Sequence, residues 1–173
     1  GMPIETYKST YNKYSVGTRF SIKSRDGDKI FRSWEGSASV TYENDQINRW
    51  RHVSLGKASP VSTSLEPGEH DAIMIPAKYD ATLKVEGRPF YGFASTSAVF
   101  AKGRSRLEVG VEWNMDKNYG RGTIFDAARP FSTSMSVRPR PYSIIPANHR
   151  FSAFAEESIS KDIGKFSLDW VLG

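Results

Sequence analysis

Cysteine is absent from all 173 residues, so no disulfide staples the fold, and thiolate metal ligation and thiol catalysis are excluded. Long apolar runs are absent as well. None approaches the roughly 20 residues a helix needs to cross a bilayer, and the N-terminus lacks the apolar core of a secretory signal. The chain opens Gly1-Met2, which reads as a tag residue ahead of an initiator methionine and leaves 2–173 as the functional span. These features point to a cytoplasmic location, or export without a cleaved signal peptide, with no transmembrane segment. The common catalytic signatures are missing too: there is no G-x-S-x-G elbow, no phosphate-binding P-loop and no dinucleotide fingerprint. The three histidines, His52, His70 and His149, form no i, i+4 pair, and no cofactor or metal site is expected. The nearest cluster is Glu69-His70-Asp71. On a strand its carboxylates face away from the imidazole, so it reads as a turn or strand edge.

What is present favours strands. Aromatic residues make up 13% of the chain and run from end to end, which suits pleated, half-buried surfaces. The length and a hydrophobic fraction of 38% are enough for one substantial core, so a single domain is expected. Net charge is +5, but the 24 basic residues are scattered and form no nucleic-acid tract, so nucleic acid is not an expected partner.

Residues 2–16 place Ile4, Tyr7, Tyr11 and Tyr14 at helical spacing, which predicts a short amphipathic helix or an N-terminal arm. Phe20 and Ile22 alternate with polar neighbours, Asp26-Gly27 predicts a hairpin turn, and the apolar pattern resumes at Ile30-Phe31. Val40, Tyr42 and Trp50 flank Glu43-Asn44-Asp45, which reads as a turn, and Pro67-Gly68 breaks the chain before the apolar run Ala72 to Ile75. Strands follow in ATLKV, RPFYGFASTSAVFA and SRLEVGVEWNM, punctuated at Glu86-Gly87 and Lys102-Gly103. Leu107, Val109 and Val111 point one way and Arg106, Glu108 and Gly110 the other, the alternation of a sheet packed on one face. Pro130, Pro139, Pro141 and Pro146 predict an irregular connection or edge. Phe166, Leu168, Trp170 and Leu172 share one face of a closing strand, and that face is expected to be packed. The fold class is therefore an all-β, single-domain antiparallel β-sandwich.

Chemistry is less pointed. Glu43 with Asp45, or Glu156 with Glu157, offers the paired carboxylates of glycoside hydrolysis, yet both pairs read as solvated loop residues. Trp113, Asn114, Asp116, Asn118, Tyr119 and Arg121 crowd a strand end. Aromatic faces there suit sugar stacking or a choline headgroup, with Asn, Asp and Arg supplying directed hydrogen bonds. The alternative is that Trp113 is core and the others solvate a loop.

SVTYEND with Trp50, the Leu65-Glu66-Pro67-Gly68 loop into AIMI, and GRSRLEVGVEWNMDKNY together resemble the cytolysin/lectin superfamily of β-sandwiches. That superfamily includes actinoporin-like pore formers and fungal fruit-body lectins. The resemblance implies a headgroup-binding loop in which Asp116, Asn118 and Tyr119 take part, and an N-terminal helix that inserts into membranes. Glu112 and Asn114 replace the serine and proline of the pore formers, and the aromatic run after the loop is reduced to GRGTIF. A non-lytic, non-enzymatic relative that binds a membrane lipid headgroup or a glycan, with homo-oligomerisation open to it, is the function expected. The alternative is a structural or assembly protein of a phage-like or secretion particle; a carboxylate-dependent hydrolase comes third.

Overall fold

The computed structural model describes residues 4–27, 29–62, 67–132 and 140–173, the side chains of Ile163 and Phe166 excepted. Ten strands make up nearly all of it: β1 Glu5–Lys23, β2 Phe31–Ser54, β3 Ser59–Ser62, β4 Ala72–Ile75, β5 Lys78–Gly87, β6 Pro89–Lys102, β7 Ser105–Asn118, β8 Gly122–Phe125, β9 Asn148–Ile163 and β10 Phe166–Leu172. The one helical element described is a 3₁₀ turn at Tyr142–Ile144. No described helix is long and apolar enough to cross a membrane.

The residues fall into two compact units. The first takes the chain up to Lys13, Tyr42–Pro89 and Lys117–Pro146, and the second takes Tyr14–Thr41, Phe90–Asp116 and Ala147–Gly173. β1 and β2 each contribute a segment to both units.

In the first unit β1, β2, β5 and β8 form one antiparallel layer, with β5 flanked by β2 and β8. The β3–β4 hairpin is a second, two-stranded sheet. The core lies between these layers: Val53, Ala81 and Leu83 from the large sheet meet Ile75 of β4, with Tyr79 and Phe131. Two sheets packed face to face make this the all-β sandwich class expected of the sequence. The proline-bearing connection contributes to the core, because Pro130 is fully buried and its carbonyl accepts a 2.8 Å hydrogen bond from the Tyr79 hydroxyl. Burial pushes the Tyr79 hydroxyl pKa up, opposed in part by the positive charge of Arg51. The Arg49 guanidinium caps the outer side of Phe131, 4.6 Å from the ring centroid, a cation–π contact.

The second unit is one antiparallel sheet in the order β1-β2-β6-β7-β9-β10. Its tight turns are made by Gly103 (φ 61°) and Gly164 (φ 62°), whose left-handed backbone matches the twist of the hairpins they close.

Four expectations are corrected. The stretch from Glu5 to Val16 is not a helix but the first part of β1. Its Thr, Tyr and Val residues favour extended backbone, and pairing with β2 satisfies backbone groups that a short, poorly propensed helix would hold only weakly. Glu43-Asn44-Asp45 is not a turn but the middle of the 24-residue β2, where the ladder beginning at Asp45 opposite Gly87 overrides local turn preference. The apolar faces of β7 and β10 are not packed: Val111 is 54% exposed and Trp170 60%. The expected binding loop through Asp116, Asn118 and Tyr119 is not all loop, since β7 runs on to Asn118. Leu65, Glu66 and Pro139 lie outside the described residues.

Tyr79→Phe leaves the buried Pro130 carbonyl without its donor and is expected to lower unfolding free energy by about 1–2 kcal/mol. Leu83→Ala, which opens a cavity in the same core, is expected to cost about 2–5 kcal/mol. Urea denaturation of both variants checks the pair.

Candidate functional site

The six residues expected to form a binding loop are divided between the two units. Trp113, Asn114 and Asp116 belong to the second unit, and Asn118, Tyr119 and Arg121 to the first. Most are already engaged. The half-buried Trp113 donates its indole N–H to His149 Nδ1 at 3.3 Å and stacks on that imidazole, 6.0 Å between centroids at 18°. The Asn114 amide donates to Glu112 at 2.6 Å, and Asp116 accepts from Asn148 at 3.0 Å. Tyr119 is 52% exposed, with the Lys117 ammonium 5.8 Å from its ring centroid.

Asn118 ties backbone to backbone. Its side-chain carbonyl accepts from the N–H groups of Arg88 and Gly120, each at 2.9 Å, while the Tyr119 N–H donates to the Arg88 carbonyl. This brings Gly120 so close to β5 that a Cβ there would lie 2.2 Å from the Glu86 carbonyl oxygen, which only glycine avoids. Arg121 is drawn toward Glu86, 4.0 Å from its carboxylate. Glu86 itself is buried, 3% exposed, with Lys84 at 2.5 Å and Arg88 at 4.0 Å. The hydrogen bond from Lys84 holds the Glu86 carboxyl below its ordinary value of 4.5, and the charges of Lys84, Arg121 and Arg88 add to this against the opposing effect of burial.

The carboxylate pairs separate as well. Glu43 is paired with Lys13 at 3.2 Å, and Glu156 and Glu157 are successive residues of β9 and so point to opposite faces. Among the described residues no group of three or more His, Asp or Glu side chains is placed to hold a metal ion.

Sequence reasoning missed the main surface feature, which lies in the second unit. Alternation along β7 puts Leu107, Val109, Val111, Trp113 and Met115 on one face, and the β7–β9 register sets Val111 opposite Ala153 and Trp113 opposite Phe151 on that same face. From β1 and β2 the face receives Phe20 and Trp34, whose rings meet edge to face at 4.9 Å. The Trp34 N–H donates to Thr96 of β6 at 2.6 Å. Glycine lets rings lie down on this face: a Cβ at Gly36 would come within 2.3 Å of the Phe20 ring, and one at Gly92 within 3.3 Å of Trp113. The result is an open apolar cleft of ≈ 580 Å³ lined by Phe20, Ala38, Ala94, Val111, Trp113 and Phe151. The opposite face is serine-bearing and charged, with Ser37 and Ser95 hydrogen-bonded at 2.8 Å near Arg19, Glu35 and Glu112.

No hydrophobic side chain described in the second unit is buried; its buried positions are Gly36 and Gly92. Along the apolar face Phe151 is 78% exposed and Leu172 62%. The signal that would have found the cleft was the small-residue run Gly36, Ala38, Gly92, Ala94 and Ala153, which marks where large rings lie flat on the sheet.

The Glu86 cluster gives two expectations. Gly120→Ala is expected to destabilise by about 1–3 kcal/mol, since β5 or the Asn118 turn must move. Because the folded-state pKa of Glu86 is depressed, its stabilisation is present above the ordinary carboxylate range and is lost as pH falls through the folded value. Glu86→Gln is therefore expected to lower the melting temperature at pH 7, with the gap to the parent protein closing below pH 4.5; melts across that range check it. No family model, no curated protein and no solved structure matches this chain.

Proposed function

We propose that the protein is a non-enzymatic assembly subunit, and that the apolar face of its second unit is covered by further copies of the same chain. The observation that carries this reading is the six-stranded sheet without a buried hydrophobic side chain among its described residues. A sheet with one apolar face gains stability only when that face leaves water, at roughly 25 cal/mol per Å² of apolar area. Contiguous exposed apolar surface larger than a few hundred Å² marks an interaction surface. The charged residues of this unit lie mainly on the opposite face, as expected where one side meets protein and the other meets water.

A second reading rests on the cleft. Trp113 and Phe151 oppose each other across β7 and β9, and a volume of ≈ 580 Å³ lies within the range of small-molecule sites. Such a surface supports stacking on a saccharide ring or receiving the apolar part of a lipid, in keeping with the lectin-like and headgroup-binding expectation. Asn114 and Asp116 lie on the other face of β7 from Trp113, so directed contacts at this cleft fall to Thr18 and Thr96.

Sedimentation velocity over a broad concentration range tests the proposal. Species heavier than the 19.4 kDa chain are expected, and the double variant Val111→Ser, Phe151→Ser is expected to shift them toward the single chain while circular dichroism stays unchanged. A single-chain species at every concentration would sink the reading. Co-sedimentation with liposomes or retention on glycan panels, lost in Trp113→Ala, would favour the second.

A further inference from the structure

The second unit ends in two unpaired sheet edges, and the residues along them are complementary. Among the described residues β1 pairs only with β2, and β10 only with β9, so the outer side of each presents backbone N–H and C=O groups without a described strand partner. Pairing in this sheet is antiparallel throughout. The β7–β9 and β9–β10 registers are antiparallel. Contacts of Ser15 with Thr41 and Ser21 with Glu35 run in opposite senses along β1 and β2. Ser37 meets Ser95 while the Ala101 N–H donates to Ile30, so β2 and β6 are antiparallel too, and the Gly103 turn reverses β6 into β7. An even number of alternating strands leaves β1 and β10 running in opposite directions. A second copy placed alongside in the same sheet therefore meets the first in antiparallel fashion, with the apolar face kept on the same side.

Side chains along the two edges match in that arrangement. On the apolar face β1 offers Val16, Thr18 and Phe20, and β10 offers Leu168, Trp170 and Leu172. On the other face β1 carries Arg19 and Lys23, neither in an ion pair among the described residues, and β10 carries Asp169. Setting Arg19 opposite Asp169 places Phe20 by Leu168, Thr18 by Trp170, Val16 by Leu172 and Ser21 by Ser167, since antiparallel partners advance in opposite senses. Joining β1 to β1 would instead offer Arg19 and Lys23 no acid, since β1 carries none from Thr6 to Lys23, and joining β10 to β10 would offer Asp169 no base.

We infer that β1 of one copy adds to β10 of the next, Arg19 facing Asp169, so that copies join head to tail into one continuous antiparallel sheet. Such a contact uses two different surfaces of each copy and builds a ring if it closes or a filament if it does not. This rests on the assembly reading and specifies its geometry. Covering the apolar face and joining the edges are separable events, so each can fail alone.

The test uses the absence of native cysteine. Ser21→Cys with Ser167→Cys in one chain is expected to give a ladder of disulfide-linked multimers on mild oxidation, and either variant alone no more than linked pairs. Arg19→Glu and Asp169→Lys are each expected to weaken association by about tenfold or more. Mixing those two variants is expected to restore head-to-tail association, because the unaltered Arg19 and Asp169 edges meet at one contact and the two charge-reversed edges meet at the next. Both positions are exposed, and circular dichroism checks that folding is intact. If the parent protein multimerises but the double-cysteine chain forms no ladder and the mixed variants do not associate, edge joining is wrong and the assembly reading stands. A parent protein that stays a single chain at every concentration overturns both.

Discussion

A sheet with one apolar and one polar face must place the apolar side against something, and this constraint governs the second unit. Alternation along β7, β9 and β10 is strict enough to send Leu107, Val111, Trp113, Phe151, Trp170 and Leu172 to one side. Phe20 and Trp34 extend the same surface across β1 and β2. Flattening of rings over Gly36 and Gly92 gives local packing but does not remove the surface from water. The gain available from covering it, at roughly 25 cal/mol per Å², exceeds anything the isolated ion pairs on these strands contribute, since exposed pairs are worth about 0–1 kcal/mol.

The first unit meets the same requirement internally. Its large sheet has the β3–β4 hairpin as a lid, and Ile75 and Phe131 fill the space over Ala81 and Leu83. Polar groups in this unit are committed to structure. Asn118 accepts two backbone N–H groups, Tyr79 serves a buried carbonyl, and Glu86 gathers Lys84, Arg88 and Arg121. Such a charge cluster, with a carboxyl held ionised by its neighbours, also looks like a functional site when read from charge alone. Here the close approach of Gly120 to β5 gives it a sufficient structural purpose.

Much of the architecture was legible in the sequence because its signals are local. The period-2 pattern of β7, the glycine turn at Gly103 and the Gly87 break between β5 and β6 are each carried by neighbouring residues. What was not legible depended on distant partners. Tyr7, Tyr11 and Tyr14 fall at helical spacing by coincidence, and only pairing with β2 decides for a strand. Glu43-Asn44-Asp45 carries turn residues, but the ladder with β5 and the ion pair to Lys13 keep it extended. Trp113 stacks on His149, which stands 36 residues away, a contact that no local pattern announces. Whether an apolar face is covered cannot be read from its own alternation, which is why the faces of β7 and β10 were expected to be packed.

The central claim is that the apolar face of the second unit is out of water in the working protein. Hydroxyl-radical footprinting read by mass spectrometry at Phe151, Trp34 and Trp170 addresses it directly. The account expects these rings to be protected at high protein concentration and to gain labelling on dilution, with exposed Tyr91 on the opposite face labelled alike throughout. Equal, heavy labelling of all four at every concentration would contradict it.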